Sequence, residues 1–320
     1  MAEQPYDKRD VMIKVAKLYY IEGMSQEQIA REVHVSRPTV SRLLKASIKE
    51  GIVQIRIDDV SSYGLELGRR IQKRFGIKQA IVTPSSYTVE ESKINVGKAG
   101  ARYLEANVVD GSLIGIAWGT TIHRLITNVQ KNPATKVDVM QLVGGVGSKT
   151  RDTDANAMAL SLANALGGTG YMLQAPFMVQ SKILRDLLLD EPHIREYFRK
   201  AQDANVAIVG LGSTDPELSA HFRSGHITYE DVKHLRQQGA VGDICGRYID
   251  SQGNECHTSL DDRIIAMSLE DLKNIPAVIG IAAGKEKKDI ISGVLCGGYI
   301  DVLITDENAA RAVLEMENGE

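Results

Sequence analysis

Two sets of residues in this 320-residue chain are typed and spaced for binding chemistry. The first lies in MSQEQIAREVHVSRPTVSRLL, residues 24–44. Ser25 and Ser36 each precede a short helical run, and Gln28 stands three residues after Ser25, as a capping box requires. Ile29, Ala30, Val33, Val35, Val40 and Leu43 are spaced so that two helices pack across a tight turn, with small Ala30 where they come closest. That is the pattern of a helix-turn-helix, whose second helix enters the DNA major groove. Arg37, Thr39, Ser41 and Arg42 are the candidates for base readout. Arg offers guanine two parallel donors, and Ser or Thr hydroxyls reach base edges or phosphates. Lys45 and Lys49 follow on the same face as phosphate contacts, which give salt-dependent affinity without sequence choice. Ser25, Gln26 and Ser36 complete the DNA-binding set. Many such turns carry Gly where this chain has His34, and His is among the residues that tolerate positive φ.

The second set lies at the ends of apolar runs: WGTT at 118–121, VGGVG at 143–147, VGLGS at 209–213 and IAAGKEK at 281–287. Glycine or hydroxyl residues after a parallel strand let a phosphate approach backbone N–H groups. Thr120 and Thr121, which open a helix, and Gly144, Gly145, Gly210 and Gly212 are therefore candidate ligand contacts. No GxGxxG follows the first strand, and GIAAGKE lacks the glycine spacing and the Ser or Thr of a P-loop, so no nucleotide cofactor is expected. His221, His226 and His234 lie within fourteen residues but read as surface residues, and no Cys or further His completes a zinc site. Asp261 and Asp262 read as a loop cap or ion pair rather than a catalytic pair. No Ser-His-Asp order or GxSxG elbow stands out.

The elements that position these residues follow from periodicity. A first helix is expected from Asp7 to Glu22, with Val11, Val15, Leu18 and Tyr19 buried and Gly23 ending it. The third helix turns Val40, Leu43, Leu44 and Ile48 inward and Pro38, Ser41, Arg42, Lys45 and Lys49 outward. IVQIRI, 52–57, reads as a strand forming a wing, with Arg56 near the DNA backbone. Asp58 to Gly64 reads as a polar linker, and Leu65 to Phe75 as a charged helix whose Leu67 and Ile71 help dimerisation. Beyond it, expected strands at Gln79–Thr83, Leu113–Ala117, Val137–Val143, Val206–Val209, Ala277–Ala282 and Val302–Thr305 alternate with amphipathic helices. This is an α/β fold with a mainly parallel sheet. The expected domains are a winged helix-turn-helix head at 1–57, a linker and helix at 58–76, and a large effector-binding and oligomerisation domain at 77–320.

Composition agrees with two globular domains: 43% of residues are hydrophobic and 25% charged, which excludes disorder. The net charge of −3 is unevenly placed. Residues 1–57 hold ten Lys or Arg against seven Asp or Glu, and the remainder is acidic, as suits a head that meets phosphates. Cys245, Cys256 and Cys296 lack metal-ligand spacing and read as reduced thiols. No apolar run has membrane-spanning length and the N-terminus is not a signal peptide, so a cytoplasmic protein without a membrane partner is expected.

The order of the head, WGTT, QLVGGVG, GAVGDICGRYID and AAGKEKKDIISGVLCGGYIDVLITDENAA resembles that of the SorC family over nearly the whole chain. These are bacterial sugar-responsive transcriptional regulators, among them the deoxyribonucleoside, central glycolytic and autoinducer-2 regulators. The resemblance implies an effector domain similar to sugar-phosphate isomerases and deaminases. It usually binds a phosphorylated sugar, although some members respond to a free sugar. Thr120 and Thr121 match a hydroxyl pair that holds a phosphate, Lys287 a phosphate-binding lysine, and Asp243 a carboxylate that accepts sugar hydroxyls. Arg223, Asn156 and Arg263 are further effector candidates by the same route. Where the deoxyribonucleoside type carries a Schiff-base lysine, this chain has Val143, which excludes an adduct there. The arginine of a bisphosphate-binding relative is also missing at that place, so one phosphate is expected.

The implied protein is a non-catalytic regulator, a homo-dimer or homo-tetramer on double-stranded operator DNA. Repression relieved by a phosphorylated sugar or polyol is the leading expectation. Activation by a free sugar is an alternative. So is a sugar-phosphate isomerase with a DNA-binding head, with Asp243 or Asp261 as base.

Overall fold

The computed structural model describes residues 8–53, 61–132, 135–147 and 154–316. It divides into two units, 1–58 and 59–320. In the first, Lys8–Tyr20 (α1), Gln26–Glu32 (α2) and Arg37–Lys49 (α3) pack around Val15, Leu18, Ile29, Val40 and Leu44. The register of α3 differs from expectation at its end. Ser47 is buried, its hydroxyl donating to Leu44 O at 2.8 Å, while Ile48 is 42% exposed. Positions 40, 44 and 47 share one side of a 3.6-residue helix, and 48 has rotated off it. Of the wing strand expected at 52–57, Ile52 and Val53 form a bend, and residues 54–57 with Arg56 lie outside the described residues.

The second unit opens with Ser62–Phe75 (α4), three residues earlier than expected, because Ser61 caps it by accepting from Gly64 N at 2.8 Å. There follow Gln79–Thr83 (β1), Val89–Asn107 (α5), Leu113–Ile116 (β2), Thr120–Ile126 (α6), Val137–Gln141 (β3), Ala155–Ala165 (α7) and Gly167–Tyr171 (β4). Lys182–Asp190 (α8), Pro192–Gln202 (α9), Val206–Ser213 (β5), Ala220–Arg223 (α10), Tyr229–Gln237 (α11), Gly242–Ile244 (β6) and Arg247–Ile249 (β7) come next. Leu269–Lys273 (α12), Val278–Ile281 (β8), Lys288–Cys296 (α13), Val302–Asp306 (β9) and Glu307–Glu315 (α14) end the unit.

Seven strands form a parallel sheet in the order β1-β9-β8-β5-β2-β3-β4. All of β8 and β9 is buried, as expected for strands covered on both faces. Leu67 and Ile71 of α4 are buried in this core, so neither is available for dimerisation. Gly64 and Gly68 draw α4 so close to β1 that a Cβ on either would lie 2.6 Å from a β1 carbonyl oxygen. The edge strand β4 escaped the sequence reading because three of its five residues are glycine.

From β2 the chain runs outward to β3 and β4, then returns to lay β5 on the other side of β2. This reversal opens a crevice at the carboxyl ends of β2 and β5, where ligands bind in open α/β sheets. Beyond the sheet, β5 continues into an antiparallel pairing with β6, placing Gly212 opposite Asp243. β6 and β7 are joined through Cys245 and Gly246, both at positive φ (52° and 76°), the backbone of a tight hairpin turn. Among the described residues no helix is long and apolar enough to cross a membrane.

Candidate effector cleft and nucleic-acid interface

In the head, both caps form. Ser25 and Gln28 make the reciprocal capping box, and Ser36 Oγ accepts from Thr39 N at 3.3 Å. The turn between the helices passes through His34 at φ 54° and closes with Val35 N donating to Ala30 O at 3.0 Å. Arg37, Arg42, Lys45 and Lys49 are exposed on α3, with Thr39 and Ser41 half-buried beside them. Ser25 is exposed and Gln26 half-buried at the start of α2. Of the base-readout candidates, two already have partners: Thr39 Oγ1 lies 2.8 Å from Ser36 Oγ, and Arg42 Nε donates to Pro38 O at 3.4 Å. The exposed face is a cationic strip along one helix, the charge and shape that a groove lined by phosphates receives.

In the larger unit, a cleft at the switch point encloses about 1010 Å³ of empty space, part of it open to solvent. Thr120, Thr121, Gly210, Gly212, Arg223, Asp243 and Lys287 all line it. Together they come from five different strand ends or connections. Thr120 and Thr121 open α6 behind Gly119, which reaches φ 149° and leaves the helix without a side-chain cap. Gly210 and Gly212 belong to the end of β5, Asp243 to β6, Arg223 to the end of α10, and Lys287 to the turn before α13.

Gly212 has a steric role. A Cβ there would lie 1.8 Å from Asp243 Oδ1, so only glycine leaves room for that carboxylate. Asp243 Oδ2 accepts Gly246 N at 3.2 Å. His221 Nε2 stands 3.7 Å from the same oxygen, and His221 Nδ1 pairs with Tyr248 OH at 2.7 Å. Half-buried Lys287 donates to Leu211 O at 2.9 Å. Burial pushes its ammonium down to about 8, against the opposing pull of the Asp243 carboxylate. Lys93 of α5 adds a second cation, 2.6 Å from Glu90, whose carboxyl it holds below the usual range. Cys245 in the wall is pushed up to about 12 by burial, which keeps the thiol protonated and unreactive.

Gly144, Gly145, Asn156 and Arg263 are not among the residues lining the cleft. Gly144 is a packing glycine: its Cβ would lie 2.4 Å from the Pro176 carbonyl. Gly145 exchanges backbone hydrogen bonds with Ala175 and Phe177, and the Asn156 amide leans over it from α7. Arg263 Nε donates to Val179 O at 2.9 Å. Asp262 is paired with Lys182 at 2.7 Å and Arg185 at 3.5 Å. Asp261 Oδ2 accepts Thr258 N at 2.6 Å as a loop cap, while its Oδ1, buried without a hydrogen-bond partner, stands 4.0 Å from Arg247.

The lining also includes residues that the sequence does not single out as ligand contacts, among them Lys93, Trp118 and His221. His221 corrects the surface expectation, being 3% exposed and packed in a ring cluster with Trp118 and Phe177. His234 is exposed and His226 half-buried. Trp118, the sole tryptophan, was visible in WGTT, but nothing in its spacing told wall from core. Among the described residues no group of three or more His, Cys, Asp or Glu could hold a metal ion.

Residues 62–315 match the family described as "Putative sugar-binding domain", and residues 10–56 match "Homeodomain-like domain". The chain belongs to the SorC family of sugar-responsive transcriptional regulators. It is 34% identical over 310 residues to the deoxyribonucleoside regulator of Bacillus subtilis (strain 168), covering 96% of this chain and 98% of that one. It is 29% identical over 308 residues to the sorbitol operon regulator of Klebsiella pneumoniae, covering 95% and 98%. The crystal structure of full-length SorC from Klebsiella pneumoniae superposes with a TM-score of 0.85 at 28% identity, covering 97% of this chain and 100% of that one. Like other members of the SorC family, this chain is a DNA-binding transcriptional regulator that joins a helix-turn-helix to a sugar-binding domain.

Proposed function

We propose that this regulator represses a carbohydrate-utilisation operon and leaves its operator when a monophosphorylated sugar or polyol fills the cleft. The observation that carries the reading is the convergence of Thr120, Thr121, Lys93, Lys287 and Asp243 on one cleft. Two hydroxyls and two cations suit a phosphate, and a carboxylate backed by His221 suits hydroxyl donors. Arg37, Thr39, Ser41 and Arg42 read bases, while Lys45, Lys49 and the residues Ser25, Gln26 and Ser36 hold the backbone. The protein acts as a homo-dimer or homo-tetramer, so that paired heads meet a palindromic site. The ligand changes operator affinity only in so far as it binds the two states of the assembly with different free energy.

Thermal denaturation across free sugars, sugar phosphates and polyol phosphates tests the effector. A ligand that binds only the folded state raises the melting temperature by mass action. One phosphorylated compound should stabilise the protein, and Lys287→Ala should abolish the effect. Stabilisation by a free sugar alone would overturn the phosphate assignment. The 3.7 Å approach of His221 to Asp243 is the one feature that favours a catalytic alternative. Incubating the stabilising compound with the protein should return it unchanged, and a product whose formation needs Asp243 would establish turnover.

A further inference from the structure

Helix α8, KILRDLLLD, buries none of its side chains completely. Its inner side is settled, with Leu188 and Leu189 packed on the small cluster around Leu173 and Ile265. Its outer side is not: Ile183, Leu184 and Leu187 are 74%, 44% and 62% exposed. At 100° per residue, Ile183 and Leu187 form a ridge along the helix, and Leu184 flanks it on one side. Lys182, Asp186 and Asp190, all exposed, line the other flank. Contiguous large aliphatic side chains in water mark a surface that another molecule covers.

The charges identify that molecule. The flank is basic at the start of α8 and acidic at its end, where Asp190 stands 4.0 Å from Arg195 yet keeps 83% of its side chain exposed. A two-fold axis crossing the helix near residue 185 sets this flank against the same flank of a second copy, running the opposite way. Lys182 then lies opposite the partner's Asp186 and Asp190, and the symmetry makes that pairing twice. Ile183 lies on the partner's Leu187, and Leu184 faces the partner's Leu184. Asp186, nearest the axis, is held by Arg185 Nε at 2.8 Å, which offsets repulsion between the two copies. Lys182 bonds Asp262 at 2.7 Å yet keeps 58% of its side chain exposed, leaving donors for a second acceptor. Antiparallel packing also brings the basic end of each helix dipole to the acidic end of the other.

We propose that α8 is a two-fold self-association surface of this regulator, pairing antiparallel with α8 of a second copy. The inference rests on the homo-oligomer proposed above and gives it a face. Sedimentation velocity of the full chain over a dilution series tests it. Leu187→Glu, and separately Asp190→Lys, should each raise the dissociation constant of one assembly step at least tenfold, halving the mass at concentrations where the wild type is assembled. Adding Lys182→Glu to Asp190→Lys exchanges the two charges and should recover the wild-type mass. Circular dichroism and the melting temperature report the fold. If Leu187→Glu proves unstable, the charge-exchange pair decides, because Asp190 is 83% exposed. A wild-type assembly that survives Leu187→Glu intact would overturn the α8 surface alone. So would a double variant that stays dissociated. A monomeric wild type would overturn the homo-oligomer with it.

Discussion

Lys287 shows how one buried charge sets the behaviour of a pocket. Its ammonium, lowered to about 8 by burial, titrates where Lys in water stays charged. An anionic ligand favours the protonated form, so affinity for a phosphorylated effector is complete below about pH 8 and falls as pH rises through it. Calorimetric titration from pH 6.5 to 9.5 should show that decline in the wild type. It should show weaker and pH-independent binding in Lys287→Met, and a wild type with a flat profile would remove Lys287 from the proposed phosphate site. The same shift acts on stability with the opposite slope. The unfolded chain binds the proton more tightly, between about 8 and 10.5, so the destabilisation from burying the charge is present below 8 and disappears as pH rises through that window.

At the scale of elements, the cleft depends on a short antiparallel pairing added to a parallel sheet. β5 outruns its parallel neighbours, and its last residues pair with β6, which returns through the Cys245–Gly246 turn. This places the Asp243 carboxylate over Gly212, where a Cβ would lie 1.8 Å from its Oδ1. Gly212→Ala should therefore displace Asp243 without unfolding a unit this large. Its expected effect is at least a tenfold loss of effector affinity with a melting temperature within a few degrees of the wild type. Fluorescence of Trp118, the sole tryptophan and a cleft residue, reads the titration directly. An unchanged affinity would show that the effector does not need Asp243 where it now stands.

For the whole molecule, control of DNA by sugar is a coupling free energy between two units, and such coupling is reciprocal. If the effector weakens operator binding by some factor, saturating operator must weaken effector binding by the same factor. Titrating the effector into the protein with and without an operator duplex measures both halves of the cycle. Equal factors, commonly 5- to 150-fold, are expected. An effector affinity indifferent to operator, with a strong effect of effector on DNA retention, would mean that the ligand acts by some route other than linked binding.

The sequence by itself determined what is local. Ser25, Ser36, Ala30 and the apolar spacing of α2 and α3 specify the helix-turn-helix, because caps and periodicity act over a few residues. The apolar strands of the sheet and the glycine-rich turns after them were legible for the same reason. What only the tertiary structure decided is which turns meet. WGTT and QLVGGVG look alike as strand ends, yet Thr120 and Thr121 line the cleft while Gly144 and Gly145 pack under Pro176 and Asn156. Strand order decides that, and it is set by long-range packing that no window of sequence contains. Lys93 and His221 reached the cleft from remote segments for this reason. Leu67 and Ile71 went the other way, because only the closeness of Gly64 and Gly68 to β1 shows that α4 faces inward and keeps both in the core.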